Sequence, residues 1–319
     1  MSDLAERFLE DVLREPETLE HVLDLYGGDH SPLHALEPDG VNRVRFIGMG
    51  SSRFAALPIA SMLRALGVDA AAERSSMFAG TPEGGDVLAV CISAGGETPE
   101  TIEHAERHRG VSRLVAVTNK PGSTLAGVAD VVLPLDAGEE RGGVACRTYQ
   151  ASLAVLILLA GHLGAELPDL LPAVDAARTI RDGRDAWLDR TLDVLGGELA
   201  VVAPEERISS AEQGALLFRE GPRIPADACE TGDWAHVDVY LTRRPGYRAL
   251  LFAGSRSDAV FAEWMRRRGA AFVAVGGDVE GAAVTIEHGA THPLCSLLVE
   301  TTVAELVAAE LWRRSLRDA

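Results

Sequence analysis

Short apolar runs alternate with stretches of helical spacing along the first half of the chain. The runs are typical of strands buried on both faces of a sheet, and in the stretches that follow them apolar residues recur at helical intervals. The predicted strands are RVRFIGMG, DVLAVCIS, RLVAVTN and DVVLPL, and the predicted helices are SSRFAALPIASMLRALG, TPETIEHAERHRG, STLAGVA and RTYQASLAVLILLAGHLG. This alternation predicts an α/β fold with a doubly wound parallel sheet.

The second half repeats the same plan more faintly. Its predicted strands are GELAVVAP, RALLFAGS, AAFVAVGG and AAVTIE, and its predicted helices are ISSAEQGALLFREG, SDAVFAEWMRRRG and LCSLLVETTVAELVAAELWRRS. A length of 319 residues also suits two domains of ordinary size. We therefore predict an N-terminal helical segment with a linker over residues 1–37, a first α/β domain over 38–165 and a second over 190–319.

Composition and charge narrow the class of protein. The formal net charge of −18 at pH 7 argues against nucleic-acid binding, because a phosphate backbone needs a basic surface. No apolar run reaches the length of about 18 residues that a membrane span needs, and the acidic N-terminus is unlike a signal peptide. The cysteines form no CxxC motif, which is typical of buried free thiols in a reducing compartment: Cys91, Cys146, Cys229 and Cys295. We therefore expect a cytoplasmic protein that binds neither nucleic acid nor membrane.

Glycines and small hydroxyls follow two neighbouring predicted strands, in GMGSS and SAGGET. The carboxyl ends of parallel strands meet at one edge of a sheet, where such folds bind ligands. Thr98 can cap the next helix, with Pro99 in its first turn. Exposed amides at a helix start, together with hydroxyls, bind anions without a lysine. The pattern thus predicts a phosphate site, although the glycines could instead serve only to form tight turns.

Other candidate chemistries are weaker. GMGSSRF places an arginine where a dinucleotide-binding motif needs its third glycine, and a Walker A motif is absent. Lys120 is the only lysine and sits in the turn sequence TNKPGS, where a solvated side chain is expected. His288 and His292 have no clear third ligand beside them, so loop histidines are a better interpretation than a metal site. We predict neither a metal nor a cofactor.

Four stretches, in order, resemble a sugar isomerase (SIS) domain: FIGMGSSRFAA, ISAGGETPETIEHA, VAVTNKPGSTLAGVADVVLPLDAGEE and GGVACRTYQASLAVLILLAG. The second half, through EQGALLFREGPRIPADACETGDWAHVD, resembles the partner SIS domain in the isomerase module of glucosamine-6-phosphate synthases. Nothing resembles the glutaminase domain of those enzymes. The resemblance implies two tandem SIS domains, each a flavodoxin-like parallel sheet flanked by helices.

The resemblance also implies roles for individual residues. Glu220 matches a carboxylate that moves a proton between C1 and C2 of a sugar, and His236 matches a histidine linked to ring opening. The positions matching phosphate-binding residues are Ser52, Ser93, Ala94, Gly95, Gly96 and Thr98. The positions near the sugar are Gly50, Ser51, Val144 and Ala145. In this family the histidine can come from the neighbouring subunit, so we expect a homodimer.

The sequence departs from the family pattern in three places. Ala94 replaces one phosphate-binding hydroxyl, Arg147 stands where a lysine is common, and the chain ends in LWRRSLRDA without the synthase tail that carries a ring-opening lysine. Synthase-type chemistry with ammonia is therefore disfavoured.

We predict an enzyme that removes the C2 proton of a hexose or hexosamine 6-phosphate, as an aldose–ketose isomerase or an amino-sugar-phosphate deaminase. A carboxylate such as Glu220, in a partly closed cleft, suits this step. The alternative reaction is a lyase-type elimination of water from an N-acetylhexosamine 6-phosphate. The alternative of another class is a non-catalytic sugar-phosphate sensor.

Overall fold

Two five-stranded parallel sheets form the framework of the chain, as the alternation of strands and helices predicts. The structure is a computed structural model that describes residues 2–77 and 83–317. The strands are β1 (Arg43–Gly48), β2 (Asp69–Arg74), β3 (Val87–Ile92), β4 (Arg113–Thr118), β5 (Val131–Pro134), β6 (Leu199–Ala203), β7 (Ala226–Glu230), β8 (Arg248–Phe252), β9 (Ala271–Val275) and β10 (Val284–Ile286). The helices are α1 (Ser2–Val12), α2 (Glu15–Gly27), α3 (Ser51–Ala65), α4 (Pro99–His108), α5 (Thr124–Val128), α6 (Arg147–His162), α7 (Leu171–Gly183), α8 (Leu188–Leu195), α9 (Ile208–Glu220), α10 (Thr231–Trp234), α11 (Asp258–Arg268), α12 (Pro293–Val299) and α13 (Thr301–Arg317).

The chain divides into two compact units, and each unit contains one sheet. The first-sheet unit comprises residues 17–139 and 147–169. The second-sheet unit comprises residues 1–16, 140–146 and 170–319. Two short stretches that are distant in sequence therefore belong with the second sheet.

The first sheet has the strand order β2-β1-β3-β4-β5, which is the flavodoxin-like order. Every residue of β3 is buried, as expected for a continuous apolar run in the middle of a parallel sheet. Ile47 of β1 pairs with Cys91 of β3, so these two strands end at the same edge. The loops that follow them lie at the point where the strand order reverses, which is where open α/β sheets bind ligands.

The second sheet has the same order when it is read from its other edge, namely β7-β6-β8-β9-β10. One side of it is packed by aromatic rings. The ring centroid of Trp234 lies 4.4 Å from that of Phe261, which lies 5.3 Å from that of Phe272 in an edge-on arrangement. The doubly wound fold is thus confirmed for both sheets.

The edge strands β2 and β7 are absent from the sequence-based prediction. β2 reads DAAAER and β7 reads ADACE, and neither shows the β-branched run that marks a buried strand. The charged ends of β2 are held by Arg45, which lies 2.7 Å from the Asp69 carboxylate and 3.5 Å from that of Glu73. An edge strand is less buried than a central strand and needs fewer apolar residues, so its sequence resembles that of a loop.

The C-terminal helix predicted as one element consists of α12 and α13, which meet at Glu300. The Glu300 side chain is fully buried. Its carboxylate lies 3.0 Å from the Arg207 guanidinium and accepts a hydrogen bond of 2.5 Å from Ser210. The break therefore places a charged residue against partners on neighbouring segments of the same unit.

Helix α1 packs against α13 within the second-sheet unit. The rings of Phe8 and Trp312 lie 6.2 Å apart, and Arg313 contacts the carboxylate of Glu6 at 2.8 Å. The sequence analysis predicted a helical segment at the N-terminus, but it did not predict that α1 packs on α13.

Two further predictions are confirmed. The cysteines are buried free thiols, and the predicted helix RTYQASLAVLILLAGHLG is α6. Within the described residues, no helix combines the length and apolar character needed to cross a lipid bilayer.

Candidate functional site

The loop after β3, residues Ser93–Thr98, is called here the β3 loop. Its first and last residues are brought together, because the Ser93 Oγ lies 3.0 Å from the Thr98 Oγ1. Ser93 is buried and Thr98 is half-buried. The Ser93 amide still donates to the Val117 carbonyl at 3.0 Å, so the hydroxyl is fixed to the end of the sheet.

Gly96 determines the shape of the β3 loop. Its φ is +67°, and a Cβ at this position would lie 2.0 Å from the Ser123 Oγ. The Gly96 amide donates to the carbonyl of Ser93 at 3.0 Å and to its hydroxyl at 3.1 Å. Only glycine fits this backbone position without displacing its neighbours.

Glu97 fastens the loop to the start of α5. Its carboxylate accepts hydrogen bonds from the Thr124 amide at 2.9 Å and the Thr124 hydroxyl at 2.7 Å. These two bonds lower the pKa of the Glu97 carboxyl. The Glu97 side chain therefore stabilises the loop. The Ala94 carbonyl also stabilises it, by accepting a hydrogen bond of 3.0 Å from the Asn119 amide.

The start of α4 and the β3 loop together present hydroxyls and backbone amides on one surface. Thr98 occupies the N-cap position, but its side chain makes no capping hydrogen bond and pairs with Ser93 instead. Pro99 lies in the first turn, as predicted. Among the described residues, the amides of Ala94 and Gly95 have no hydrogen-bond acceptor. Hydroxyls, unpaired amides and the positive end of a helix suit a phosphate group.

The loop after β1 contributes a second turn at the same edge of the first sheet. Gly50 has a φ of +51°, and the Ser52 amide donates to the Met49 carbonyl at 3.2 Å. Ser51 and Ser52 begin α3 and are half-buried. In the part of the chain that the structure describes, neither hydroxyl bonds to the β3 loop. The turn is as predicted, and a role of Ser51 and Ser52 in ligand binding stays a prediction.

Glu220 is the last residue of α9, in the second-sheet unit, and is half-buried. Burial raises the pKa of its carboxyl, against the opposing charges of Arg223 and Arg219. A carboxylate with a raised pKa is a better proton acceptor near neutral pH than an exposed one. This environment suits the proton transfer predicted for Glu220.

His236 follows the short helix α10 in the same unit, and its side chain is exposed. Its amide donates to the Asp233 carbonyl at 2.8 Å. The neighbouring Trp234 is fully buried and donates from Nε1 to the Tyr247 hydroxyl at 2.9 Å. The segment is thus anchored by the tryptophan, and the histidine points away from the core.

Val144 and Ala145 lie in the segment Glu140–Cys146, which belongs to the second-sheet unit. Val144 is buried and Ala145 is half-buried. The Ala145 carbonyl accepts a hydrogen bond of 2.8 Å from Nε2 of Gln213 on α9. The sequence analysis did not select Gln213, although an amide among apolar helix positions is a signal that could have identified it.

Arg147 is buried and directed at backbone carbonyls. Its guanidinium donates to the Ala137 carbonyl at 2.7 Å and also contacts the Glu139 carbonyl. Lys120 is exposed. Within residues 2–77 and 83–317, no three His, Cys, Asp or Glu side chains are grouped to hold a metal ion.

Residues 40–161 match the SIS domain family. Among curated proteins, the chain is 30% identical over 258 residues to a glutamine–fructose-6-phosphate aminotransferase (isomerizing) of Aeropyrum pernix. That match covers 74% of this chain and 41% of the relative, so the chain spans less than half of the relative's length.

Solved structures share the fold at lower identity. Tagatose-6-phosphate ketose/aldose isomerase of Escherichia coli superposes with a TM-score of 0.81 at 14% identity, covering 100% of this chain and 95% of that one. Glucosamine-6-phosphate deaminase of Thermotoga maritima superposes with a TM-score of 0.77 at 18% identity, covering 96% and 94%. The chain is homologous to part of the aminotransferase, and its residues 40–161 belong to the SIS domain family.

Proposed function

We propose that this chain is an enzyme that binds a hexose or hexosamine 6-phosphate and removes the C2 proton of its open-chain form. The observation that carries the proposal is the pair of hydroxyls of Ser93 and Thr98, 3.0 Å apart at the start of α4. The two structural neighbours are named for reactions on sugar 6-phosphates, which supports the same substrate class here.

In this proposal the phosphate is held by the hydroxyls of Ser52, Ser93 and Thr98 and by the amides of Ala94 to Gly96. The amides of Ala94 and Gly95 lack acceptors among the described residues, which supports the assignment. The Gly96 amide bonds within the loop in this structure, so its use by a phosphate would require Ser93 to exchange partners. Helix α4 adds its dipole without needing a basic side chain.

Glu220 is the proposed general base. It removes the C2 proton of an open-chain aldose, the electrons move into the carbonyl, and the carbonyl oxygen O1 takes up a proton to give an enediol. Return of the C2 proton to C1, with loss of the proton on the C2 hydroxyl, gives the ketose. If C2 carries an amine, the same transfer gives a C2 imine, which water hydrolyses to the ketose and ammonia. The raised pKa of the Glu220 carboxyl supports this role.

We further propose that His236 assists ring opening and that the protein is a homodimer. Gly50 and Ser51, together with backbone groups of Val144 and Ala145, contact the sugar in this proposal. Exposure of the His236 side chain supports a role at a surface that a second subunit can reach. The buried free thiols support a cytoplasmic location. Sedimentation at micromolar concentration tests the dimer, and a monomer alone would count against it.

Proton exchange at C2 tests the function. The purified protein is incubated in D2O with glucosamine 6-phosphate, N-acetylglucosamine 6-phosphate or fructose 6-phosphate, and products are followed by NMR. We expect deuterium at C2 of an aldose, together with a ketose, ammonia or a dehydrated product that identifies the reaction. Elimination from the N-acetylated sugar would select the lyase alternative. Tight binding without exchange or turnover would select the sensor.

A further inference from the structure

Gln213 makes a specific contact with the segment Glu140–Cys146 inside the second-sheet unit. Its side chain is 1% exposed, and its Nε2 donates to the Ala145 carbonyl at 2.8 Å. A carbonyl oxygen can only accept, so the atom that faces it has to be the amide nitrogen. The side chain is therefore held in one orientation, with Oε1 directed elsewhere.

The remainder of this segment is fastened by other residues. The carboxylate of Asp11 accepts from the amides of Arg141 at 2.6 Å and Gly142 at 2.9 Å. A Cβ on Gly142 would lie 2.4 Å from the Phe8 backbone, so α1 is packed directly against it. Asp11 thus fixes the start of the segment, while Gln213 fixes its far end at Ala145.

Folding stability alone does not account for a glutamine at this position. The Gln213 Oε1 is buried and has no hydrogen-bond partner among the described residues. A buried acceptor without a donor destabilises the folded state. Leu217 and Phe218 on the same helix are fully buried, so an apolar side chain would suit the surroundings. Packing therefore does not explain the amide, and its one specific contact within the described part of the chain is the hydrogen bond to the Ala145 carbonyl.

We infer that Gln213 is a positioning residue that sets the Ala145 peptide for sugar binding. The inference rests on the proposed function, in which backbone groups of Val144 and Ala145 contact the sugar. Gln213 and Glu220 are seven residues apart on α9, and a spacing of seven places them on one face of the helix. One rigid helix therefore carries both the proposed base and the side chain that orients the sugar-binding segment.

The inference is tested with two substitutions. Gln213→Leu keeps the volume of the side chain but removes the hydrogen-bond donor. We expect KM for the sugar phosphate to rise roughly 10-fold while kcat changes little, because the lost contact stabilises the bound substrate and the transition state equally. Hydrogen exchange of amides 143–146 should accelerate by about 10-fold, since a local anchor is gone. This exchange is measured without substrate.

Gln213→Glu adds a pH dependence that packing alone would not give. A protonated carboxyl can donate to the Ala145 carbonyl, whereas an ionised one can only accept. In this variant KM should therefore rise with pH. The protection factors of amides 143–146, which correct for the intrinsic pH dependence of exchange, should fall over the same pH range, and the wild type should show neither change.

Ser209→Ala is the matched control, because Ser209 is a fully buried residue on the same helix whose hydroxyl has no partner among the described residues. It should leave both KM and exchange unchanged. Unchanged KM and exchange in Gln213→Leu, with an active wild type, would overturn the inference and leave the proposed function standing. A wild type inactive on every sugar phosphate would refute the proposed function and the sugar-binding part of the inference. Faster exchange in Gln213→Leu would then support only the anchoring of Ala145.

Discussion

The hydroxyl of Thr98 bonds to the hydroxyl of Ser93 at 3.0 Å instead of capping α4, the helix that Thr98 precedes. A capping threonine ordinarily contributes about 1 kcal/mol to stability. Here that contribution is not made, and both hydroxyls stay beside the first turn of α4. We interpret this arrangement as serving the proposed phosphate site and not the stability of the helix.

Thr98→Val tests this interpretation. The variant keeps the shape of the side chain but loses the hydroxyl, so affinity for a sugar phosphate should fall by about 10-fold or more, as for loss of a hydrogen bond to a charged group. Because no capping bond is lost, the free energy of unfolding should change by less than about 1 kcal/mol. Calorimetric titration and chemical denaturation measure the two quantities. Thr179→Val, at an exposed threonine of α7, is the control, and equal affinity losses in both variants would refute the interpretation.

Gly96→Ala should damage the β3 loop, whereas Gly95→Ala should be tolerated. A methyl group at Gly96 would lie 2.0 Å from the Ser123 Oγ, and at Gly95 it would meet no atom within 4 Å. The left-handed φ of Gly96 adds strain of about 1–3 kcal/mol for a residue with a side chain. We expect lower thermal stability and loss of sugar-phosphate binding for Gly96→Ala only. Equal behaviour of the two variants would contradict the described loop.

Glu220→Gln should lower turnover by about 100-fold or more, the usual range for loss of a general base. The substitution keeps the shape of the side chain, so sugar-phosphate affinity should change little. Glu212→Gln, at a half-buried glutamate of the same helix, should retain activity. Unchanged C2 deuterium exchange in Glu220→Gln would remove this residue from the mechanism.

The pH profile provides a second measurement on Glu220. A base must be ionised to act, and burial raises the pKa of this carboxyl above its usual 4.5. Activity should therefore rise with pH through an acid limb whose midpoint lies above 4.5. A midpoint at or below that of an exposed glutamate would argue against the assignment.

His108 should make the first-sheet unit sensitive to acid. Its ring is fully buried. Burial, and to a smaller extent the charge of the neighbouring His104, lowers the pKa of His108 to about 4. In the unfolded chain the His108 ring takes up a proton near pH 6.5, whereas in the folded chain it stays neutral down to about pH 4. The free energy of unfolding that depends on the neutral ring is therefore fully present above pH 6.5 and falls between pH 6.5 and about 4. Below about pH 4 it changes no further. The loss is of the order of 3 kcal/mol.

This prediction is checked by comparing the pH dependence of stability in the wild type with that in a variant that lacks the His108 ring. His108→Asn keeps a polar atom near the Ser112 hydroxyl, which lies 2.9 Å from His108 Nδ1, but it cannot titrate. Denaturation midpoints of wild type and variant should converge as pH falls from 6.5 to 4. The control His30→Gln, at an exposed histidine, should run parallel to the wild type. Parallel curves for His108→Asn would refute the prediction.

Local sequence was sufficient to predict the β3 loop and the central strands. Two glycines between a buried strand and a threonine–proline pair determine a turn before a helix. β3 is a continuous apolar run, and β1 alternates polar and apolar residues before its apolar end. The contacts that brace the loop were not predictable, because Ser123 and Thr124 approach Gly96 and Glu97 only after β4 has paired with β3.

Two other features depend on tertiary contacts. Edge strands β2 and β7 gain their conformation from pairing on one side, so their alanine-rich and acidic sequences give no local signal. The placement of residues 140–146 with the second sheet depends on Asp11 and Gln213, which are distant in sequence. Likewise, spacing identified α9 as a helix, but the contact between Gln213 and Ala145 exists only in the folded unit.

The packing of α1 on α13 has a consequence for the order of events during synthesis. Translation proceeds at about 5–20 residues per second, so the ribosome needs roughly 15–60 s to pass from Phe8 to its partner Trp312. During this time the strands of the first sheet have all emerged and can pair, whereas the apolar face of α1 has no α13 to cover it. The second-sheet unit is therefore completed last, and the apolar face of its N-terminal helix stays uncovered until the end of synthesis.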